Sequence, residues 1–285
     1  ATGTVHHERA TGTVHHEGGA DRNDLRCAGR GVVRMRLLVD FLCRFGWGLS
    51  VALVLTPASL VPAGFFRVNM LVVLGLATFG ALLCGQVLPA PGWLLPTAAA
   101  ITAWMASIAW FAERTRPGIV LCVITALLLA AATAVVQFAP GGNVAGGWAA
   151  DWTSVGGALL SGLVTGLTVH AMLLGHWYLN APGMRVDVLR RMIDVAFAAW
   201  AVQLVVAVAA LPAGALATGA TGGPTTMALV SLRWLAGLVG LPVLLWLSRK
   251  TLDIPNTQSA TGILYVACLA AILGELTAQL LSVAA

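Results

Sequence analysis

Charge is scarce in this chain. Only 9% of its 285 residues are Asp, Glu, Lys or Arg, and lysine occurs once, at Lys250, against roughly 25% charged residues in an average soluble chain. A soluble fold needs such residues to keep its surface in water, so soluble enzyme folds and disordered tails are excluded for most of the length. Catalytic and nucleotide-binding signatures are missing too. The sequence has no GxxxxGK, no HExxH, no GxSxG and no GxGxxG after a strand, which leaves ATP-driven transport within this chain, zinc proteolysis and serine hydrolysis without support. The five cysteines, at positions 27, 43, 84, 122 and 268, show no C-x-x-C spacing, and four of them lie in apolar runs. They serve as small hydrophobes and imply neither a disulfide framework nor a zinc site.

What is present is apolar surface. Hydrophobic residues make up 59% of the chain and the mean hydropathy is +0.88, more than one soluble core could bury. Lipid offers the backbone no hydrogen-bond partners, and about 20 apolar residues span the hydrocarbon layer as a helix. The fold class is therefore all-α, a polytopic transmembrane helical bundle of about eight spans. They are predicted at 37–56, 68–89, 93–113, 118–139, 154–180, 190–212, 226–248 and 259–282. Proline and glycine punctuate them: Pro57, Pro62 and Gly64; Pro89, Pro91 and Gly92; Arg116-Pro117-Gly118; Ala139-Pro140-Gly141-Gly142; Pro182-Gly183; and the stretch from Pro212 to Pro224.

Residues 1–34 form a hydrophilic leader, expected to be disordered or non-native, ahead of a single transmembrane domain over 35–285. Ala1 to Glu8 is repeated without change from Ala10 to Glu17, as a tandem duplication of coding sequence would give, and Met35 is the expected start. His6, His7, His15 and His16 also read as a His-rich metal tract, but two short identical units without a core have nothing to orient them. No short apolar region ending at a small-residue cleavage site makes this a signal peptide.

The net charge of +5 is a topology signal. Basic residues sit in alternate loops, at Arg67, at Arg114 and Arg116, at Arg185, Arg190 and Arg191, and at Arg249 and Lys250, while the intervening loops have none. They form no phosphate-binding stripe, so no nucleic-acid partner is expected. By the positive-inside rule the basic loops face the cytoplasm of a cell membrane and both termini lie outside. The leader arginines at 26, 30 and 34 and Arg36 run against this orientation, and a start at Met35 removes three of the four. The neutral loops, rich in Gly, Ala, Trp and Pro, read as interfacial caps, with Trp93, Trp148 and Trp152 in the aromatic belt. A Pro-Gly turn followed by Arg after the first helix of each half hints at a 4+4 arrangement, with too little residue-level similarity to establish duplication.

The informative residues are polar ones inside spans, because ionisable groups at membrane depth face the bundle or water and pair with something. Asp40 and Arg44 are i,i+4 partners on helix 1. Arg44, Arg233 on helix 7 and Glu275 on helix 8 each lie roughly seven residues in, about 10 Å deep at about 1.5 Å per residue. Helices 7 and 8 are antiparallel neighbours, which predicts an Arg233–Glu275 contact. Thr261, Tyr265, Cys268, Ile272, Glu275 and Gln279 advance by alternating fours and threes, so they form one inward face opposite a stripe of Arg233, Gly237 and Gly240. Gln86 and Gln137 fall toward the same end. A buried polar cluster of Asp40, Arg44, Arg233, Glu275 and Gln279, lined by helices 1, 7 and 8, is the candidate site. It serves either as a working pocket or as ionic glue between three helices.

On helix 5, Gly162, Gly166 and His170 share a tightly packed face, and His176, Trp177 and Tyr178 reach the interface at the basic end. His170, His176 and Tyr178 are candidates for a proton relay or a headgroup contact, against bland roles in packing and anchoring. Haem is not expected: two histidines six residues apart point about 120° from each other and cannot clamp one iron. That leaves His170 with Met105 or Met192 as the alternative ligand set. Arg190 and Asp194 read as an i,i+4 pair on a solvated face.

Two function classes follow. The first is a redox or quinone-linked membrane subunit, its partners being the bilayer and other subunits of a membrane complex, with quinone as the cofactor to consider. The low count of Ser, Thr and Asn for an aqueous path favours it. The second is a proton-coupled secondary transporter or permease for a small solute, with Asp40 or Glu275 as coupling carboxylate and Arg44 or Arg233 as anion clamp. Whether the chain is an enzyme is left open, and a lipid-active enzyme lacks the carboxylate cluster a divalent metal needs.

Overall fold

The computed structural model describes residues 17–88, 91–139, 148–181, 185–209, 223–254 and 256–284. Eight helices long and apolar enough to cross a membrane account for nearly all of them. They are α1 (Glu17–Leu55), α2 (Ala63–Val87), α3 (Leu94–Phe111), α4 (Thr115–Phe138), α5 (Trp148–Asn180), α6 (Val186–Ala209), α7 (Pro224–Thr251) and α8 (Thr257–Ala284). The described residues contain no strand. Prolines sit where a missing N–H does no harm: Pro62 precedes α2, Pro96 and Pro117 lie in the first turns of α3 and α4, and Pro224 opens α7.

Pro242 is the proline inside a span. It cannot donate to the Leu238 carbonyl, and the eight residues before Leu241, Arg233–Gly240, widen into a π-helical stretch. A Cβ on Gly240 would lie 2.6 Å from the Leu235 carbonyl oxygen, so the widened turn needs glycine there. Such π stretches concentrate at functional sites, and this one begins at Arg233.

Helix α1 is continuous from Glu17, ahead of Met35, where the sequence predicts disorder. Both copies of the His-containing repeat except Glu17 lie outside the described residues, as do the neutral links 140–147 and 210–222.

Each half of the chain closes on itself. In the first, α1 packs on α2, α2 on α3, α3 on α4, and α4 returns to α1; in the second, α5 to α8 repeat the same circuit. The halves join chiefly along α1 and α5, the two most buried spans. This is the 4+4 organisation at which the Pro-Gly turns hint. Gly48, Gly162 and Gly166 make the join: a Cβ on Gly162 would lie 2.5 Å from the Arg44 carbonyl oxygen, and one on Gly166 2.2 Å from the Gly48 carbonyl carbon. Helices meeting through such small residues approach close enough for dispersion forces to hold them without a hydrophobic drive. Trp47 reinforces the join, its indole N–H donating to the Leu159 carbonyl at 3.0 Å.

Spans α6 and α7 are the least buried. Helix α6 packs against the Leu241–Thr251 part of α7 but barely meets its Pro224–Gly240 part. The two helices therefore splay apart toward the end of the bundle opposite the basic loops, called here the neutral end.

Candidate functional site

In the neutral-end half of the bundle a chain of hydrogen bonds crosses five helices. It starts at Gln137 on α4, whose amide donates to Asp40 Oδ1 at 2.9 Å. Asp40 forms an ion pair with Arg44 one turn along α1, and Arg44 Nη1 donates to Glu275 Oε1 on α8 at 2.9 Å. The same Glu275 oxygen accepts from Gln279 Nε2 at 2.9 Å, and its other oxygen accepts from the Ser161 hydroxyl on α5. Ser161 in turn accepts from Gln203 Nε2 on α6 at 3.2 Å. Asp40, Arg44, Glu275 and Gln279 are all at least nine-tenths buried. Helix geometry explains much of this: Asp40 and Arg44, like Glu275 and Gln279, stand at i,i+4 and so share a face.

Arg233 departs from the sequence expectation. The guanidinium that meets Glu275 is Arg44 from α1, not Arg233 from the neighbouring α7. Arg233 is half-buried, and among the described residues it has no ion pair or hydrogen bond. Its backbone lies close by all the same, because Gly237 and Gly274 bring α7 and α8 into near contact, with a Cβ on Gly274 reaching 2.7 Å from Gly237 Cα. Equal depth along two helices sets height in the bilayer but not direction around the helix axis, and the π stretch changes that direction just where Arg233 stands.

Arg233 lines a cavity. A space of about 450 Å³ runs between α5, α6, α7 and α8 from Thr153 and Ser282 near the neutral end down to Arg44, Ser161 and Gln203. A second, narrow pocket joins Arg233, Gly237 and Gly274 to Glu275 itself. Two buried polar atoms on side chains of the larger cavity have no hydrogen-bond partner, the donor Arg44 Nε and the acceptor Gln279 Oε1. Both atoms are closed to water, so they face packed protein and not the cavity itself, and each costs about 1–3 kcal/mol by staying unpaired. Of the sequence candidates, Asp40, Arg44, Glu275 and Gln279 come together in the network, and Arg233 faces the space beside it. Sequence reasoning missed Ser161 and Gln203 and left Gln137 outside the cluster. Gln203 lies at a depth on α6 similar to that of Arg233 on α7, and that was the available signal; Ser161 is hidden within the small-residue run of α5. Gln86 is exposed.

The helix 5 candidates lie elsewhere and do not converge. His170 is fully buried, with Nε2 2.7 Å from Thr56 Oγ1 and its ring edge-on to Phe65. The Thr56 hydroxyl also lies 2.8 Å from the Ala52 carbonyl oxygen, and His170 Nδ1 has no hydrogen-bond partner. Met192 Sδ reaches Thr56 Oγ1 at 3.6 Å, which puts the hydroxyl in contact with both His170 and Met192, while Met105 is exposed. At the basic end His176 is partnered with the Tyr265 hydroxyl at 3.2 Å, and the Tyr178 hydroxyl donates to the Arg185 carbonyl. Tyr265 is thus the exposed member of the otherwise inward α8 face. Asp194 pairs across helices with Arg249 at 2.9 Å, rather than with Arg190, whose guanidinium donates to the Leu252 carbonyl. Among the described residues no three His, Cys, Asp or Glu side chains gather where a metal could sit.

Comparison with protein-family models, with curated proteins and with solved structures finds no match to this chain. Function is therefore read from the geometry of the cavity and its network.

Proposed function

We propose that this chain is a membrane carrier for a small solute, which enters the neutral-end cavity and meets Glu275 as the proton-coupled carboxylate. The observation that carries the reading is the cavity of about 450 Å³ that reaches the buried Arg44–Glu275 network. Its size falls in the range of ligand sites, about 300–1,000 Å³, and ionic glue alone needs no such space. Ser and Asn are few over the whole chain, nine and five against 22 Thr, which favours a redox subunit on composition. The cavity wall, however, gathers Thr153, Ser154, Ser161, Gln203, Gln279 and Ser282 in one place, so the scarcity does not extend to the path itself. The π stretch of α7 and the bare Gly237–Gly274 crossing give the carrier a helix able to shift against its neighbour.

A quinone-linked reading keeps one specific support. The splay between α6 and α7 leaves the cavity open toward the side of the bundle, which suits a lipid-dissolved molecule whose headgroup accepts from Arg233 and Gln203. Its redox partner would come from another subunit.

Cysteine accessibility tests the carrier. The described native cysteines are buried, so Gln203→Cys in a background with Cys27 replaced by Ser is the reporter. Reaction with a membrane-impermeant maleimide in sealed vesicles is expected. Absence of reaction, together with a quinone recovered by organic extraction of the purified protein, would overturn the carrier in favour of the second reading.

A further inference from the structure

We infer that the solute is a small anion of the oxyacid type, a carboxylate or phosphate, anchored by Arg233 and accompanied by a proton taken up at Glu275. This rests on the carrier reading and names its substrate class.

The inference follows from a count of charges in the site. Arg44 is shared by two carboxylates, Asp40 and Glu275, so with both ionised the trio carries one net negative charge. Arg233, on the wall of the cavity and without an ion pair among the described residues, balances it. A guanidinium at membrane depth normally pairs with an acid, and its planar fork of donors matches the paired oxygens of a carboxylate or phosphate. An anion arriving there gives Arg233 that partner, with the Gln203 amide on the facing wall of the same cavity.

The arriving anion leaves the site one negative charge in excess, in surroundings where unbalanced charge is costly. A proton delivered by hydronium from the neutral side restores neutrality, and O–H bond exchange is the whole of the chemistry. It goes to Glu275 because Glu275 lines the pocket beside Arg233, whereas Asp40 sits behind Arg44 with Gln137. The groups around Glu275 agree: α1 presents Arg44 and, beyond it, Asp40; α5, α6 and α8 present the neutral Ser161, Gln203 and Gln279; α7 presents Arg233. Arg36, one turn above Asp40, adds a cation near that carboxylate, but it is half-buried, lies off both pockets and donates to the Val136 and Ala139 carbonyls, so its charge belongs to the neutral-end surface and not to the count.

Titration calorimetry on the purified full chain, in two buffers of different ionisation heat, tests this. The probes are sodium acetate, lactate and inorganic phosphate, with acetamide and lactamide as uncharged counterparts. An acid is expected to bind at least about tenfold more tightly than its amide, with uptake of about one proton per anion. Arg233→Gln should abolish the preference and Arg233→Lys restore part of it. Glu275→Gln, which leaves Arg44 its Asp40 partner, should bind the anion without proton uptake. Equal binding of acids and amides, a preference that survives in Arg233→Gln, or an unchanged proton count in Glu275→Gln each overturns the inference while leaving a water-filled cavity intact. A parallel arm in phosphatidylglycerol and phosphatidylcholine nanodiscs separates the sources of the anion. Stabilisation by phosphatidylglycerol, with none of the free anions binding, upholds the anionic head and Arg233 but sinks the carrier of a water-borne solute.

Discussion

Arg44 is the residue on which the site depends, because one guanidinium serves two buried carboxylates from helices far apart in the chain. Arg44→Met leaves Asp40 and Glu275 buried without a cation, and breaking a buried pair costs about 3–5 kcal/mol. The expected outcome is a sharp fall in the thermal unfolding temperature and in the yield of monodisperse protein. The triple variant Asp40→Asn, Arg44→Met, Glu275→Gln removes every charge together and should recover most of that loss, since replacing a complete buried ionic group by neutral residues of similar volume is often tolerated. A single variant as stable as the parent would show that the network is solvated. The Asp40–Arg44 step was legible from its spacing alone. The choice of Arg44 over Arg233 as the partner of Glu275 was not, since it depends on the azimuth of each side chain and the π stretch alters that azimuth in α7.

At the scale of elements, glycines decide which helices touch. The Gly162, Gly166 and His170 face of α5 was readable from its i,i+4 spacing, but its counterpart, Gly48 on α1, shows no such pattern. Gly166→Ala puts a methyl 2.2 Å from the Gly48 backbone and must push α1 from α5. Overpacking of this kind costs about 1–3 kcal/mol. A lowered unfolding temperature is expected, along with loss of the Thr56–His170 contact, visible as a shifted histidine resonance. Gly75→Ala on α2, where a Cβ meets nothing within 4 Å, is the control and should be neutral or slightly stabilising. Pro242 belongs to the same scale: a proline within a span was visible in the sequence, but the π stretch it accompanies, and the facing it gives Arg233, emerge only in the folded helix.

For the whole molecule, two four-helix circuits joined along α1 and α5 place the polar cavity entirely in the half away from the basic loops. By the positive-inside rule the cavity mouth is predicted to lie on the outer side. Substituted cysteines check this orientation: Arg114→Cys between α3 and α4 should react with an impermeant maleimide only after permeabilisation, and Trp93→Cys at the opposite end should react in intact cells. The reverse pattern would place the cavity mouth on the cytoplasmic side. Hydropathy and the Pro-Gly breaks by themselves determined the number of spans, their approximate limits and the depth of each buried charge, because crossing a bilayer demands long apolar helices whatever their neighbours. Which helices surround one another, which arginine neutralises Glu275, and that Ser161 and Gln203 complete a cavity were decided by tertiary packing. Those relations are set by rotation about each helix axis and by glycine contacts between distant segments, and hydropathy along a single chain records neither.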